Sequence, residues 1–215
     1  SESVRAKLFI DINSKQVKVD ERLLLDLMAD TRILANDDER VYEVIKGLND
    51  EPGSPLHQKV QFLPEQKHRW MKNTTMLALL KPHIGNGGIL YGKTTAQLIE
   101  IFTAYFKAYV MVFPEAWTDQ KKYILTKNMG FEIMCGIFRE IKYRCDLYEG
   151  KQLNRDSFMK QISLLEGREV TLKLKDKSTI NIPLNWSSNS MGQFSSKQWI
   201  REIVKEIINM LNAEA

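Results

Sequence analysis

Cysteine, histidine and proline are scarce in this chain of 215 residues, which has two Cys, three His and six Pro. Cys135 and Cys145 cannot build a disulfide framework, and with no C-x-x-C pair and no histidine close by they form no zinc site. A reducing, cytoplasmic setting is expected. His57, His68 and His83 do not have metal-ligand spacing, so no metal and no other cofactor is expected. Glycine and proline follow no repeat period, and no low-complexity tract appears, which excludes fibrous and linker-like chains. No long apolar run is free of charge. The most apolar, AQLIEIFTAYFKAYVMVF (96–113), carries Glu100 and Lys107. Each would cost ~3 kcal/mol near a membrane centre, so the stretch reads as a long buried helix and no membrane partner is expected. Glu2, Arg5 and Lys7 interrupt the first apolar residues, and a signal peptide is not expected either.

What is present is ordinary for a globular protein: 43% hydrophobic and 27% charged residues, enough for one good core or two smaller ones. The net charge of +4 comes from 31 basic and 27 acidic residues. Because these charges are interspersed, the balance permits a nucleic-acid partner without pointing to one.

Hydrophobic spacing predicts a mainly α fold, a multi-helix bundle with one small β-hairpin and a C-terminal amphipathic helix. Val4, Leu8 and Ile12 lie on one helical face that Asn13-Ser14 ends. Asp20 caps a second helix carrying Leu23, Leu24, Leu27 and Met28. Asn36 and Glu39 have capping-box spacing before Val41, Val44, Ile45 and Leu48, and that helix ends before Pro52-Gly53. A loop with one extended run, Val60 to Leu63, leads to a helix from Asn73 that stops near Pro82. The long helix then runs from Thr94 or Thr95 to Phe113, and a further helical region from about Asp119 to Tyr148, where Gly130 and Gly136 imply close packing or a kink. The pattern changes after Leu165. Val170, Leu172 and Leu174 alternate with Thr171, Lys173 and Lys175, and a turn at Asp176-Lys177 with Thr179 to Ile182 completes a hairpin. A last helix carries Ile200, Ile203, Val204, Ile207, Ile208 and Leu211 on one stripe. Two domains follow: a helical one over 1–165, and the hairpin with its helix over 166–215.

Candidate chemistry is sparse, and no catalytic residue is assigned. Asp11, Asn13 and Gln16 cluster where the first helix ends; they are either a helix stop with a solvated linker or a polar group facing a pocket. Glu65-Gln66-Lys67-His68-Arg69 offers His68 as a base and Arg69 as an anion clamp. No Ser or Cys nucleophile stands at a recognisable spacing, and a solvated charge run is the favoured reading. The loop WSSNSMGQFSSKQW (186–199) offers Ser187, Ser188, Asn189 and Ser190 as donors. Ser195 or Ser196 caps the last helix, and Lys197 adds charge, a set suited to a phosphate. It lacks the order of a phosphate loop, so nucleotide hydrolysis is not expected of it, and a flexible capped loop is the favoured reading. Arg168, Lys173, Lys175 and Lys177 on the hairpin can follow phosphates, or simply protect an exposed ribbon from edge pairing. Trp70, Trp117, Trp186 and Trp199 read as core or boundary residues, not a base-stacking platform.

Leu8-Phe9-Ile10-Asp11-Ile12-Asn13 with Gln16 resembles the LFxDINxxQ segment of the DGQHR-domain family. That family includes the DndB regulators of DNA sulfur modification and is related to the ParB and sulfiredoxin-like fold. Ser54-Pro55-Leu56, the step from Phe113-Pro114 to Trp117, and the run from Tyr123 to Gly130 extend the likeness across residues 4 to about 140. The DGQHR signature itself, which precedes the DIN segment in the family, is not in this chain. Glu65 to Arg69 matches it only superficially and lies on the wrong side of Asn13. The resemblance therefore implies the helical C-terminal part of such a protein, with residues 1–30 packing against a ParB-like core outside this chain, towards which Asp11, Asn13 and Gln16 would face.

The function so implied is a non-catalytic, DNA-associated or regulatory module of a bacterial or archaeal DNA-modification, defence or mobile-element protein. Its expected partners are DNA and the N-terminal domain of the parent chain, with homo-oligomerisation allowed. Two alternatives stand beside it. In one the chain forms the wall of a ParB-like nuclease or nucleotidase site completed by that domain; in the other it is a protein–protein assembly module.

Overall fold

The protein is described from a computed structural model that covers residues 20–31, 34, 36–174 and 176–213. The helix expected over Val4 to Ile12, the polar set Asp11, Asn13 and Gln16, and Lys175 lie outside the described residues. Within them the chain is mainly helical, with two small two-stranded sheets. It forms two compact units, the first ending at Glu100 and the second beginning at Ile101, whereas the sequence reading divides it at 165.

In the first unit Asp20 caps α1 (Glu21–Asp30), its carboxylate accepting the Arg22 amide at 3.0 Å. The Arg22 guanidinium beside it lowers the Asp20 carboxyl to about 2. Helix α2 (Asn36–Asp50) buries Val41, Val44, Ile45 and Leu48, the predicted stripe, and Tyr42 as well. Val60–Gln61 (β1) pairs in parallel with Met71–Lys72 (β2), a partner strand that two residues of sequence cannot announce. Helix α3 (Asn73–Ile84) packs on α2. It passes through Pro82 instead of stopping there. Proline removes one helix hydrogen bond so near the end, while His83 and Ile84 beyond it are buried and the Gly85 amide closes the turn on Lys81 O at 2.9 Å. Helix α4 (Thr95–Val112) starts in this unit, where Gly47 makes room: a Cβ there would lie 2.2 Å from Ile99 Cδ1.

In the second unit Pro114 does more than end α4. It occupies the first turn of a short helix, α5 (Pro114–Thr118), where its missing N–H has no helix partner to lose. The helix expected from Asp119 begins only at Asn128. The Asp119 carboxylate accepts the amides of Lys121 at 3.0 Å and Lys122 at 3.1 Å, as an N-cap would, but after one turn the Ile124 amide leaves the helical pattern and donates to Trp186 O at 2.8 Å. Tyr123 then bridges Ser187 as a strand would. Helix α6 (Asn128–Tyr148) follows, and then α7 (Arg155–Ser163), which the spacing does not predict; Asn154 caps it by accepting the Ser157 amide at 2.9 Å. Strands β3 (Glu169–Lys173) and β4 (Thr179–Pro183) form the predicted hairpin, in register from Glu169↔Pro183 to Lys173↔Thr179. A 3-10 turn (Gly192–Phe194) leads into α8 (Lys197–Ala213), which buries Ile200, Ile203, Ile207 and Leu211. The hairpin and α8 share their core with α6.

The aromatic centre of this core contains Tyr105, Phe138 and Phe158, with Tyr105 edge-on to both phenylalanine rings at 4.9 and 5.3 Å. The Tyr105 hydroxyl donates to Met134 O at 2.7 Å. Among the described residues no helix is long and apolar enough to cross a membrane.

Candidate nucleic-acid interface

The hairpin register separates residues that the sequence groups together. Arg168 precedes β3 at the base of the ribbon, and its carbonyl accepts the Leu184 amide at 2.8 Å. Lys173 ends β3 opposite Thr179, and Lys177 stands in the tip turn with φ 69°. Four strand residues between base and tip span ~13 Å, so these cations cannot meet one phosphate. The exposed face of β3 reads Glu169, Thr171, Lys173. It is a mixed face with an acid at its base, and Thr171 donates across it to Asn181 Oδ1 at 2.9 Å.

The serine loop is built differently. Trp186 is fully buried against Tyr109 and Phe113, and its φ of 61° turns the chain sharply after β4. Asn185 Oδ1 accepts the Ser187 amide at 3.0 Å and the Ser190 hydroxyl at 3.0 Å, while Ser187 Oγ accepts the Asn189 amide at 3.2 Å. Much of the polar capacity expected for a ligand is thus used to shape the loop. Main-chain bonds then fasten the loop to the turn before α6: Ser188 N–H donates to Lys122 O at 2.7 Å, and Ile124 N–H to Trp186 O at 2.8 Å.

That fastening collects cations the sequence reading leaves out. Lys127 Nζ donates to Ser188 Oγ at 3.2 Å, and Lys121, Lys122 and Lys127 are all exposed. Lys127 also occupies the N-cap of α6, where no side chain caps the helix. A lysine beside the positive end of a helix gives a local field that favours anions. The available signal was the run TDQKKYILTKN (118–128), lysine-rich and polar between two helices; its proximity to Ser188 depends on tertiary pairing. Further along the loop, Ser196 caps α8, with Trp199 N–H on its Oγ at 3.4 Å, while Ser195 and Lys197 remain exposed.

Two other motifs resolve into structure. Gln66 Oε1 accepts the Phe62 amide at 2.9 Å and the Leu63 amide at 3.1 Å. Arg69 Nη1 donates to Val60 O at 3.0 Å. Glu65 to Arg69 therefore contains a brace for β1, and His68 is simply exposed. A phosphate-loop order, Gly87-x-x-x-x-Gly92-Lys93-Thr94, also stands directly before α4. Such a loop holds phosphate in free main-chain amides after a strand. Here a helix precedes it, and the amides of Gly88, Leu90, Tyr91 and Lys93 donate to chain carbonyls at 2.8 to 3.1 Å. Thr94 and Gln97 cap each other's amides at 3.0 and 3.3 Å. The segment is a capped helix start, not a cradle.

No thiolate nucleophile is available, since burial pushes both the Cys135 and Cys145 thiols up to about 12. Among the described residues no three His, Cys, Asp or Glu side chains gather as metal ligands. Comparison with protein-family models, curated proteins and solved structures returns no match.

Proposed function

We propose that this chain is a non-catalytic nucleic-acid-associated module that contacts phosphates through Lys121, Lys122 and Lys127 beside Ser188. Lys173 and Lys177 would supply a separate contact at the tip of the ribbon. The supporting observation is the Lys127–Ser188 hydrogen bond at 3.2 Å, which joins a lysine turn to a serine loop at an uncapped helix start. The likeness to DGQHR-domain proteins supplies the biological setting: a DNA-modification, defence or mobile-element system, with duplex DNA as the partner.

Contacts of this kind carry charge but little sequence information. Binding to a short duplex is expected to be sequence-tolerant and to weaken steeply with salt. Each lysine lost from a phosphate reduces the salt slope by about 1, so the Lys122→Glu/Lys127→Glu variant should bind more weakly at low salt with a slope smaller by about 2. Fluorescence anisotropy across a salt series measures both quantities. An unchanged slope in that folded variant would remove the proposal.

A further inference from the structure

The second unit also contains a cleft of about 350 Å³ between the end of α4, α5 and the base of the ribbon. Phe113, Pro114 and Leu184 give it apolar walls, and Tyr123 lines it as well. Both charged residues lining it, Glu115 and Glu166, are acids. The Tyr123 hydroxyl donates to Glu115 Oε2 at 3.0 Å, and among the described residues no donor takes the second carboxylate oxygen of Glu115. Among the described residues neither glutamate is within ion-pair distance of a cation. Both glutamates are exposed, so the recess presents two carboxylates that have no cationic partner among the described residues beside apolar walls.

The size narrows the guest. Ligand pockets occupy ~300–1,000 Å³, and this one lies at the small end, suited to a molecule of amino-acid size. The chemistry narrows it further. Carboxylates favour a cation, and the apolar walls favour a short hydrocarbon stem. We propose that the cleft binds a small amphipathic cation, an ammonium or guanidinium head on an aliphatic stem. The head would lie against Glu115 and Glu166, and the stem against Phe113, Pro114 and Leu184. Such a group occurs as a free small molecule and as the side chain of a peptide arginine or lysine. This inference does not depend on the nucleic-acid reading, because it uses charges of opposite sign on other residues.

The test is an NMR titration of the full ¹⁵N-labelled chain with n-butylguanidinium at constant ionic strength. Saturable shifts are expected at the amides of Tyr123, Gly167 and Leu184, and n-pentanol should produce none. Glu115→Gln/Glu166→Gln keeps an acceptor for Tyr123 and should weaken binding at least about tenfold. Glu166→Gln alone, at an exposed position, gives the same direction of change with the least risk to folding. A blocked Gly-Arg-Gly peptide separates the sources: binding as tight as butylguanidinium indicates a peptide side chain, and clearly weaker binding indicates a free small molecule. Shifts that do not saturate, that pentanol reproduces, or that survive both glutamine variants overturn the proposal.

Discussion

Arg144 shows how a charge is kept inside this molecule. It is 5% exposed, yet its Nε donates to Gln161 Oε1 at 3.0 Å, its Nη1 to Leu211 O at 2.6 Å, and its guanidinium lies 5.1 Å from the Tyr148 ring centroid. These partners sit on α6, α7 and α8, so one side chain ties together the ends of three helices. Removing it strands a buried amide and a helix-terminal carbonyl as well as losing the bonds themselves. Arg144→Ala is expected to destabilise by ~3 kcal/mol, read as a lower urea midpoint, with Arg144→Lys recovering only part because it lacks the planar fork. A charged residue inside an apolar helix period was visible in the sequence; its partners, 17 and 67 residues away, were not.

At the scale of the element, the two glycines of α6 make different demands. A Cβ on Gly130 would stand 2.2 Å from Leu125 O, which is backbone in the preceding turn. A Cβ on Gly136 would stand 2.8 Å from Val204 Cγ2, the tip of a side chain on α8. Side chains can shift where a closed turn cannot. Gly130→Ala should therefore cost more than Gly136→Ala, with ~1–3 kcal/mol typical of overpacking, and thermal melts of the two variants would rank them. The glycines alone signalled close packing or a kink, and only the fold shows which neighbour each one meets. The same limit explains the other differences in the fold. Stripes such as those of α2 and α8 were legible because burial alone fixes them. The segment 119–127 has a helix-starting Asp119, and its departure from helix is set by pairing with residues 186–188 some 60 positions on, which local spacing does not contain. Helix α7 was missed because its signal is a single asparagine cap over nine residues.

For the molecule as a whole, the two buried thiols report on integrity. Cys135 and Cys145 both lie in the second unit, and burial keeps them protonated far above neutral pH. A disulfide-exchange reagent such as 4,4′-dithiodipyridine should label them only as that unit opens, and at once in denaturant. Labelling of either thiol in native buffer at the rate of a free cysteine would contradict the packing described. The candidate interface was legible only in part: the serine loop and ribbon lysines were visible in sequence, but Lys127 meets Ser188 through a contact between residues 61 positions apart, and Lys121 and Lys122 come beside that loop by the same pairing.

The clasp between Tyr123 and Ser187 makes that reversal consequential. Every lysine survives heating, truncation or denaturant, but their arrangement does not. The proposed affinity for a polyanion would then gauge whether two distant stretches of chain have found each other, and a partner selecting this surface would also be inspecting the protein for correct assembly.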